Sequence, residues 1–341
     1  MIQPTTTLDI EAVQREISAG YINEQRHDVA PYRILNYSQR AQFDWHWTNE
    51  TMQCRGLVVD DTWNVVARPF PKFFSVEQLN GVVPVEPFEA YEKMDGSLGV
   101  LYRVDGKPYI ATRGSFTSEQ AQRATAIYRS KYGHVELDDS VTYLFEIIYP
   151  ENRIVVDYGE TEDLVLLAMI ETDSGVERPL SEIGFPIVRQ YDGIEQFDEL
   201  MATQDASREG FVVRFESGQR VKIKFDEYKR LHKLLTGVSP KAVWELLRSG
   251  SGLSEVVDRV PDEFYQWVRE TENDLRGAFS KVELEARSNM RFGGSRKELA
   301  EHYKQCRHPG IMFAMLDGKD YSDAIWKLVK PSGTTFRCDT N

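Results

Sequence analysis

Up to about residue 226, short apolar runs alternate with turn residues at strand-like spacing. Residues 100–104 and 109–112 flank Asp105-Gly106, a dipeptide that accepts the positive φ angles of a two-residue hairpin. Residues 211–215 and 220–225 flank Ser217-Gly218 in the same way. Residues 141–148 alternate, and residues 164–170 are apolar throughout, as a buried strand is. One helix is predicted to interrupt this part, from a capping box at Thr117-Ser-Glu-Gln120 to about Tyr132.

Beyond Asp226 the period becomes helical. Ser239-Pro240 supplies an N-cap and a proline at the first helical position for a helix to about Leu247. Pro261 opens a long amphipathic stretch ending near Gly293-Gly294, and Ser295-Arg-Lys-Glu298 is a capping box for a short helix. Strands first and helices after imply an α+β domain over residues 1–235 and an all-α domain over 236–341. The boundary is expected between about 226 and 240.

A length of 341 residues agrees with about two domains. With 41% hydrophobic and 28% charged residues, a core can form without disulfide staples. The longest apolar run, residues 164–170, falls far short of the ~18 residues that cross a bilayer. Residues 1–20 hold no apolar signal-peptide core. Cys54, Cys306 and Cys338 form no CxxC pair, which fits a reducing compartment. A cytoplasmic protein without a membrane partner is expected. The net charge of −13 argues against non-specific wrapping of nucleic acid, yet it permits a local basic surface. Residues 220–233 carry six basic and two acidic side chains, and residues 281–307 seven and four. The second stretch reads equally as solvated helix faces or as a surface for RNA.

The densest chemistry lies in Ala90-Tyr-Glu-Lys-Met-Asp-Gly-Ser-Leu-Gly-Val-Leu101. A lysine, one spacer and Asp-Gly at a strand edge is the pattern of a nucleotidyl-transferring nucleophile; alone, it also fits a turn with a solvated lysine. Lys93 must attack phosphorus as the neutral amine. Lys222 and Lys224, two apart on a strand, point to one face. There they would disfavour the ammonium of Lys93 and stabilise developing phosphoryl charge. An edge strand guarded against aggregation is the other reading of that pair. Glu146 sits mid-strand in Val-Thr-Tyr-Leu-Phe-Glu-Ile-Ile, where a carboxylate is costly unless paired or cation-bound. Glu209 begins the next hairpin. With Asp95 these carboxylates suit Mg²⁺, which takes few direct protein ligands. Salt bridges to the motif lysines are the alternative for both glutamates.

Taken as an ordered set, the motifs make the chain resemble the ATP-dependent RNA ligases. The resemblance is to the tRNA-repairing, single-strand-joining ligase of T-even bacteriophages and its relatives, in the covalent nucleotidyltransferase superfamily. It covers about residues 32–235 and begins with Tyr32-Arg-Ile-Leu-Asn-Tyr37, Cys54-Arg-Gly-Leu-Val-Val59 and Arg68-Pro-Phe-Pro-Lys-Phe-Phe74. Lys93-Met-Asp-Gly96, Thr112-Arg-Gly-Ser115 and Phe145-Glu-Ile-Ile-Tyr-Pro-Glu-Asn-Arg-Ile-Val155 follow. Glu209-Gly-Phe-Val-Val213 and Val221-Lys-Ile-Lys-Phe225 complete it.

The resemblance implies a nucleotidyltransferase domain of antiparallel sheets with flanking helices. It makes Lys93 the residue that carries AMP, with Glu146, Glu209, Lys222 and Lys224 as its catalytic companions. ATP and Mg²⁺, or Mn²⁺ in its place, are the implied cofactors, with Asp95, Glu146 and Glu209 at the metal. Arg55 and Lys72 hold the β- and γ-phosphates. Tyr37, Asp95 and Gly96 join the nucleotide site, a packed core tyrosine being the other reading of Tyr37, and Glu92 helps to read adenine. Arg113 stands where some relatives carry lysine, which preserves the charge and alters the geometry. The implied partner is RNA with 5′-phosphate and 3′-hydroxyl ends, broken tRNA among them. A monomer is expected, in the host cytoplasm if phage-encoded.

A DNA ligase, a GTP-using guanylyltransferase and a non-catalytic RNA-binding module stay open. Helices, rather than an OB-fold, after the lysine pair speak against the first. The intact set of Lys93, Glu146, Glu209, Lys222 and Lys224 speaks against the last. No P-loop or nucleophile elbow occurs. His302 and Cys306, with His308 nearby, lack the second ligand pair of a closed zinc site.

Overall fold

The computed structural model describes residues 6–193, 196–226, 228–230, 232, 239–253, 263–291 and 293–331. They form two compact units, divided between His232 and Lys233. In the first unit the strands are β1 (Ile22–Arg26), β2 (Tyr32–Tyr37), β3 (Arg55–Asp60), β4 (Val65–Ala67), β5 (Phe74–Ser75), β6 (Phe88–Lys93) and β7 (Ser97–Val104). They continue with β8 (Lys107–Ala111), β9 (Val141–Ile148), β10 (Asp163–Glu171), β11 (Glu177–Arg178), β12 (Gln190–Tyr191), β13 (Gly210–Phe215) and β14 (Arg220–Lys224). Among the described residues these make three sheets, ordered β1-β2-β3-β4, β11-β10-β9-β7-β8 and β12-β6-β13-β14-β5. Their ladders are antiparallel apart from the short parallel pairing of β14 with β5.

Both predicted hairpins form. Asp105 and Gly106 have φ of 50° and 74°, and Val104 faces Lys107 in register. Strand β9 departs from the expected alternation. Its two faces pack into different clusters, Val141, Tyr143, Phe145 and Ile147 into one and Leu144 into another, so both are covered and only Glu146 is partly open. The first and second sheets share a core containing Ile34, Val58, Val100, Leu144 and Ile170. The third sheet buries Ala90, Phe211, Val213, Phe215 and Ile223 on one face, leaving the other for the site.

The expectation of a single helix in this unit is corrected. The α-helices with described bounds are α1 (Ile10–Ser18), α2 (Gln39–Phe43), α3 (Asn49–Gln53), α4 (Glu119–Ile127) and α5 (Phe197–Ala202). Helices α2 and α3 are too short to show an apolar period, and local caps at Ser38 and Thr48 start them. The N-cap of α4 is Ser118, one residue later than predicted, because Ser115 Oγ already accepts the N–H groups of Thr117 and Ser118. Its last turn widens into a π-turn over Tyr128–Tyr132.

Among its described residues the second unit consists of helices joined by turns, α6 (Pro240–Ser249), α7 (Glu263–Ser288), α8 (Arg296–Lys304), α9 (Pro309–Leu316) and α10 (Ser322–Leu328), with no strand. Ser239 caps α6, and the Ser295–Glu298 box closes reciprocally on α8. Pro261 and Cys338 lie outside the described residues. One cluster joins Val243, Trp244 and Leu247 to Val268, Leu275 and Trp326. Another joins Ala286 to Leu299, Tyr303, Ile311 and Ile325. No described helix is long and apolar enough to cross a membrane.

Candidate active site

Lys93 ends β6, and the registers place Gly210 opposite it and Lys224 opposite Gly210. Directly opposed residues share a face, so Lys93 and Lys224 project together over a residue with no side chain. Glu209, adjacent in sequence, fills the space between them. Its Oε2 lies 2.8 Å from Lys93 Nζ and its Oε1 2.8 Å from Lys224 Nζ. Burial alone would raise the Glu209 pKa, but Lys224 and Lys93 outweigh it and hold the group below the ordinary carboxylate range. Lys222 lies two residues before Lys224 on the same strand face, opposite Val212 and Ser75.

Glu146 approaches from β9, where it is paired with Leu98 and Val165. Its Oε1 accepts the N–H of Gly96 at 2.9 Å. Burial pushes its pKa up to about 7 against the partial relief given by Lys93. A cavity of about 80 Å³ opens between the sheets, lined by Lys93, Glu146, Leu167, Val188 and Val212. Glu92 reaches its edge; the strand alternation turns it away from Lys93, and its N–H bonds Arg189 O at 2.8 Å.

Asp95 departs from the metal-ligand expectation. Its Oδ2 accepts the N–H groups of Val155 and Val156, each at 2.8 Å, and its Oδ1 accepts Tyr228 OH at 2.7 Å. Buried and turned inward, it ties the loop after Lys93 to two other segments. Among the described residues no three acidic, imidazole or thiol side chains converge as a metal site. With Glu209 gripped by two lysines, Glu146 is the carboxylate that fits a cation: it lines the cavity half-buried, and among the described residues only one of its oxygens takes a hydrogen bond from the protein. The His302–Cys306 pair is also no zinc site. His302 Nε2 meets Asn289 O at 2.9 Å, and Cys306 Sγ is 3.9 Å from that nitrogen.

A second group gathers around Tyr37. Between β2 and β3, Leu35 faces Leu57 while Asn36 faces Arg55, so Gly56 is the extra residue of a bulge. A bulge re-aims the neighbouring side chain. Arg55 thus lies over the Phe73 ring at 5.3 Å, with Nη1 buried and, among the described residues, without a hydrogen-bond partner. Arg113 donates to Tyr37 OH at 2.9 Å. The buried ammonium of Lys72 sits 5.0 Å from the Trp47 ring, 5.4 Å from Tyr37 and 5.3 Å from Phe74. Because Phe74 and Ser75 pair with Val221 and Lys222, the chain carrying Lys72 runs beside the lysine strand. Sequence reasoning missed Tyr228 and Trp47. Neither stands in a motif, and only packing brings them to the site.

A family model described as RNA ligase matches residues 53–229, just over half of the chain. A putative bifunctional polynucleotide kinase/RNA ligase of Autographa californica nuclear polyhedrosis virus is 28% identical over 243 residues, covering 62% of this chain and 34% of the relative. A putative RNA ligase of Thermovibrio ammonificans is 29% identical over 209 residues, covering 54% of each. The RNA ligase of Rhodothermus phage RM378 is 22% identical, over 95% of this chain and 89% of its own. The chain thus spans about a third and about half the length of the first two. The matched segment contains Arg55, Lys72, Lys93, Glu146, Glu209 and both strand lysines, and over that span the chain belongs to the RNA ligase family of the phage T4 type.

Proposed function

We propose that the protein is an ATP-dependent RNA ligase joining a 5′-phosphate end to a 3′-hydroxyl end. The observation that carries this reading is the bridge Lys93–Glu209–Lys224, with both ammonium groups 2.8 Å from one buried carboxylate. It fixes the nucleophile beside a cation that can balance phosphoryl charge. Lys93 Nζ, having lost a proton to solvent, forms a P–N bond to the α-phosphorus of ATP as the bond to pyrophosphate breaks. The 5′-phosphate of RNA then takes the AMP from Lys93. Attack by the 3′-hydroxyl on that RNA phosphate expels AMP and seals the strand.

Lys224 and Lys222 face the α-phosphate, and Arg55 and Lys72 orient the pyrophosphate. Glu146 would hold Mg²⁺, or Mn²⁺, with phosphate oxygens completing the shell. Bound there, the cation supplies neutralisation of phosphate charge. The helical unit contributes to RNA choice. In its basic stretch, Arg287, Arg296 and Arg307 are held in ion pairs. Lys281, Arg291, Lys297 and Lys304 are exposed and, among the described residues, free of ion pairs. We place the protein in the cytoplasm as a monomer.

The test is incubation with α-labelled ATP, mass spectrometry of the labelled protein, and circularisation of a 5′-phosphorylated single-stranded RNA. AMP should appear on Lys93, and Lys93→Ala should abolish it. Lys93→Arg should also fail, because a guanidinium does not deprotonate at working pH. AMP on another residue, or labelling from GTP alone, would overturn the reading.

A further inference from the structure

The face of the third sheet that carries Lys93 is built in rungs of directly opposed residues. Lys93, Gly210 and Lys224 form one rung, Tyr91, Val212 and Lys222 the next, and Glu89, Arg214 and Arg220 the one beyond. Same-face neighbours on a strand are two residues apart, so the last rung lies roughly 13 Å from the first. The cavity between the sheets follows this line: Lys93 and Glu146 line it, and so do Tyr91, Val212 and Arg220. Such a length takes a ribose and a base beyond an α-phosphate held at Lys93. The apolar walls, from Leu167, Val188 and Val212 to Phe70 and Phe73, suit a flat base.

At the far end stands a carboxylate from the other sheet. Glu177, on β11, accepts Arg220 Nη2 at its Oε2, and Arg214 Nε lies 3.5 Å from the same oxygen. The Arg220 guanidinium is itself stacked 4.3 Å from the Phe70 ring. A neighbouring cavity of about 240 Å³ shares Phe70, Phe73, Glu177 and Arg220 with the first, so space opens on both sides of the ion pair. Together the two cavities reach the ~300 Å³ at which ligand sites begin. Two arginines on one oxygen fix the Glu177 carboxylate, and its other oxygen, Oε1, accepts no hydrogen bond among the described residues.

We infer that Glu177 selects the base of the nucleotide, its Oε1 accepting a hydrogen bond from the exocyclic amino group of adenine. Guanine carries a carbonyl oxygen at that position, and two acceptors brought together repel. The inference rests on the ligase reading above and names a base-selecting side chain of that same site. An ion pair that only joined the two sheets would treat all nucleotides alike, so the ratio of their use separates the two roles. In Glu177→Gln the arginines hold the amide oxygen, and the NH₂ group takes the place of Oε1. A donor then stands where the acceptor was.

The full chain is tested for the rate of its self-labelling at limiting ATP, GTP or purine riboside triphosphate, which lacks the amino group. The natural protein should use ATP at least about tenfold faster than the analogue, the worth of a hydrogen bond to a charged acceptor. Glu177→Gln should bring ATP and the analogue within about twofold of each other and lower the ATP-to-GTP ratio at least about tenfold. Glu177→Asp keeps the charge for both arginines and draws the acceptor back by one methylene. It should lower both ratios too, and it carries the test if the amide variant does not fold. Equal use of ATP and the analogue by the natural protein would overturn the inference. So would unchanged ratios in a folded variant, whether or not its overall rate fell. Failure of the ligase reading is separately visible, because the natural protein would then take up no AMP.

Discussion

Glu146 takes part in no ion pair among the described residues, and its pKa is pushed up to about 7 mainly by burial. Below the ordinary carboxylate pKa both the folded and unfolded forms are protonated, and the group costs nothing. Between that value and about pH 7 the unfolded chain ionises first, so stability falls as pH rises; above about 7 the loss is complete. Glu146→Gln keeps an acceptor for Gly96 N–H and removes the titration. The variant should be more stable than the natural chain by about 2 kcal/mol at pH 8. The gain should vanish towards pH 4.5, while AMP transfer drops at least about a hundredfold. Urea unfolding at both pH values checks this, and an unchanged or lower stability at pH 8 would contradict it. Glu209 works with the opposite sign. Its depressed pKa contributes stability that is lost only as pH falls through that lowered value.

Strand β13 spaces the site. Gly210 has φ of 152°, and a Cβ there would fall 1.9 Å from Ile223 O, the carbonyl of the partner strand. Strands β13 and β14 could accept an alanine only by separating, which would also part Lys224 from Glu209. Gly218, in the hairpin loop, has φ of 83° and open space around its missing Cβ. Gly218→Ala should therefore cost only about 1 kcal/mol of backbone strain. Gly210→Ala should cost at least about 3 kcal/mol and abolish AMP transfer. Comparable denaturation midpoints for the two variants would show that the close approach at β13 does not constrain the site.

Every proposed nucleotide-contacting residue precedes residue 226, inside the unit that ends at His232. The helix capped by Ser239 belongs to the other core, where Val243, Trp244 and Leu247 pack against Val268, Leu275 and Trp326. A chain ending at His232 should fold and retain self-adenylylation. One ending at Ser249 keeps α6 but loses the residues that cover it, and should bind more of an apolar dye and aggregate sooner. Circular dichroism, dye binding and AMP labelling of both chains decide this. Better behaviour of the longer chain would mean that α6 stabilises the first unit. Loss of the helical unit should also lower the salt sensitivity of RNA binding, because Lys281, Arg291, Lys297 and Lys304 go with it.

The sequence alone determined what depends on neighbours along the chain. Turn dipeptides set both hairpins, Ser239 and the Ser295–Glu298 box set helix starts, and alternation set the common face of Lys222 and Lys224. It also placed the nucleophile motif at a strand end. The short helices α2 and α3 escaped because they have no period to read. The partners within the site were beyond reach for a different reason: they are long-range pairings. Glu209 alone could be a metal ligand or a lysine's partner, and only the register of β6, β13 and β14 puts both lysines on it. Asp95, next to the nucleophile in sequence, is turned inward by the amides of Val155 and Val156 and by the hydroxyl of Tyr228. Residue type and local spacing limit what a side chain can do chemically; which donor or acceptor it meets across the fold depends on sheet register and packing.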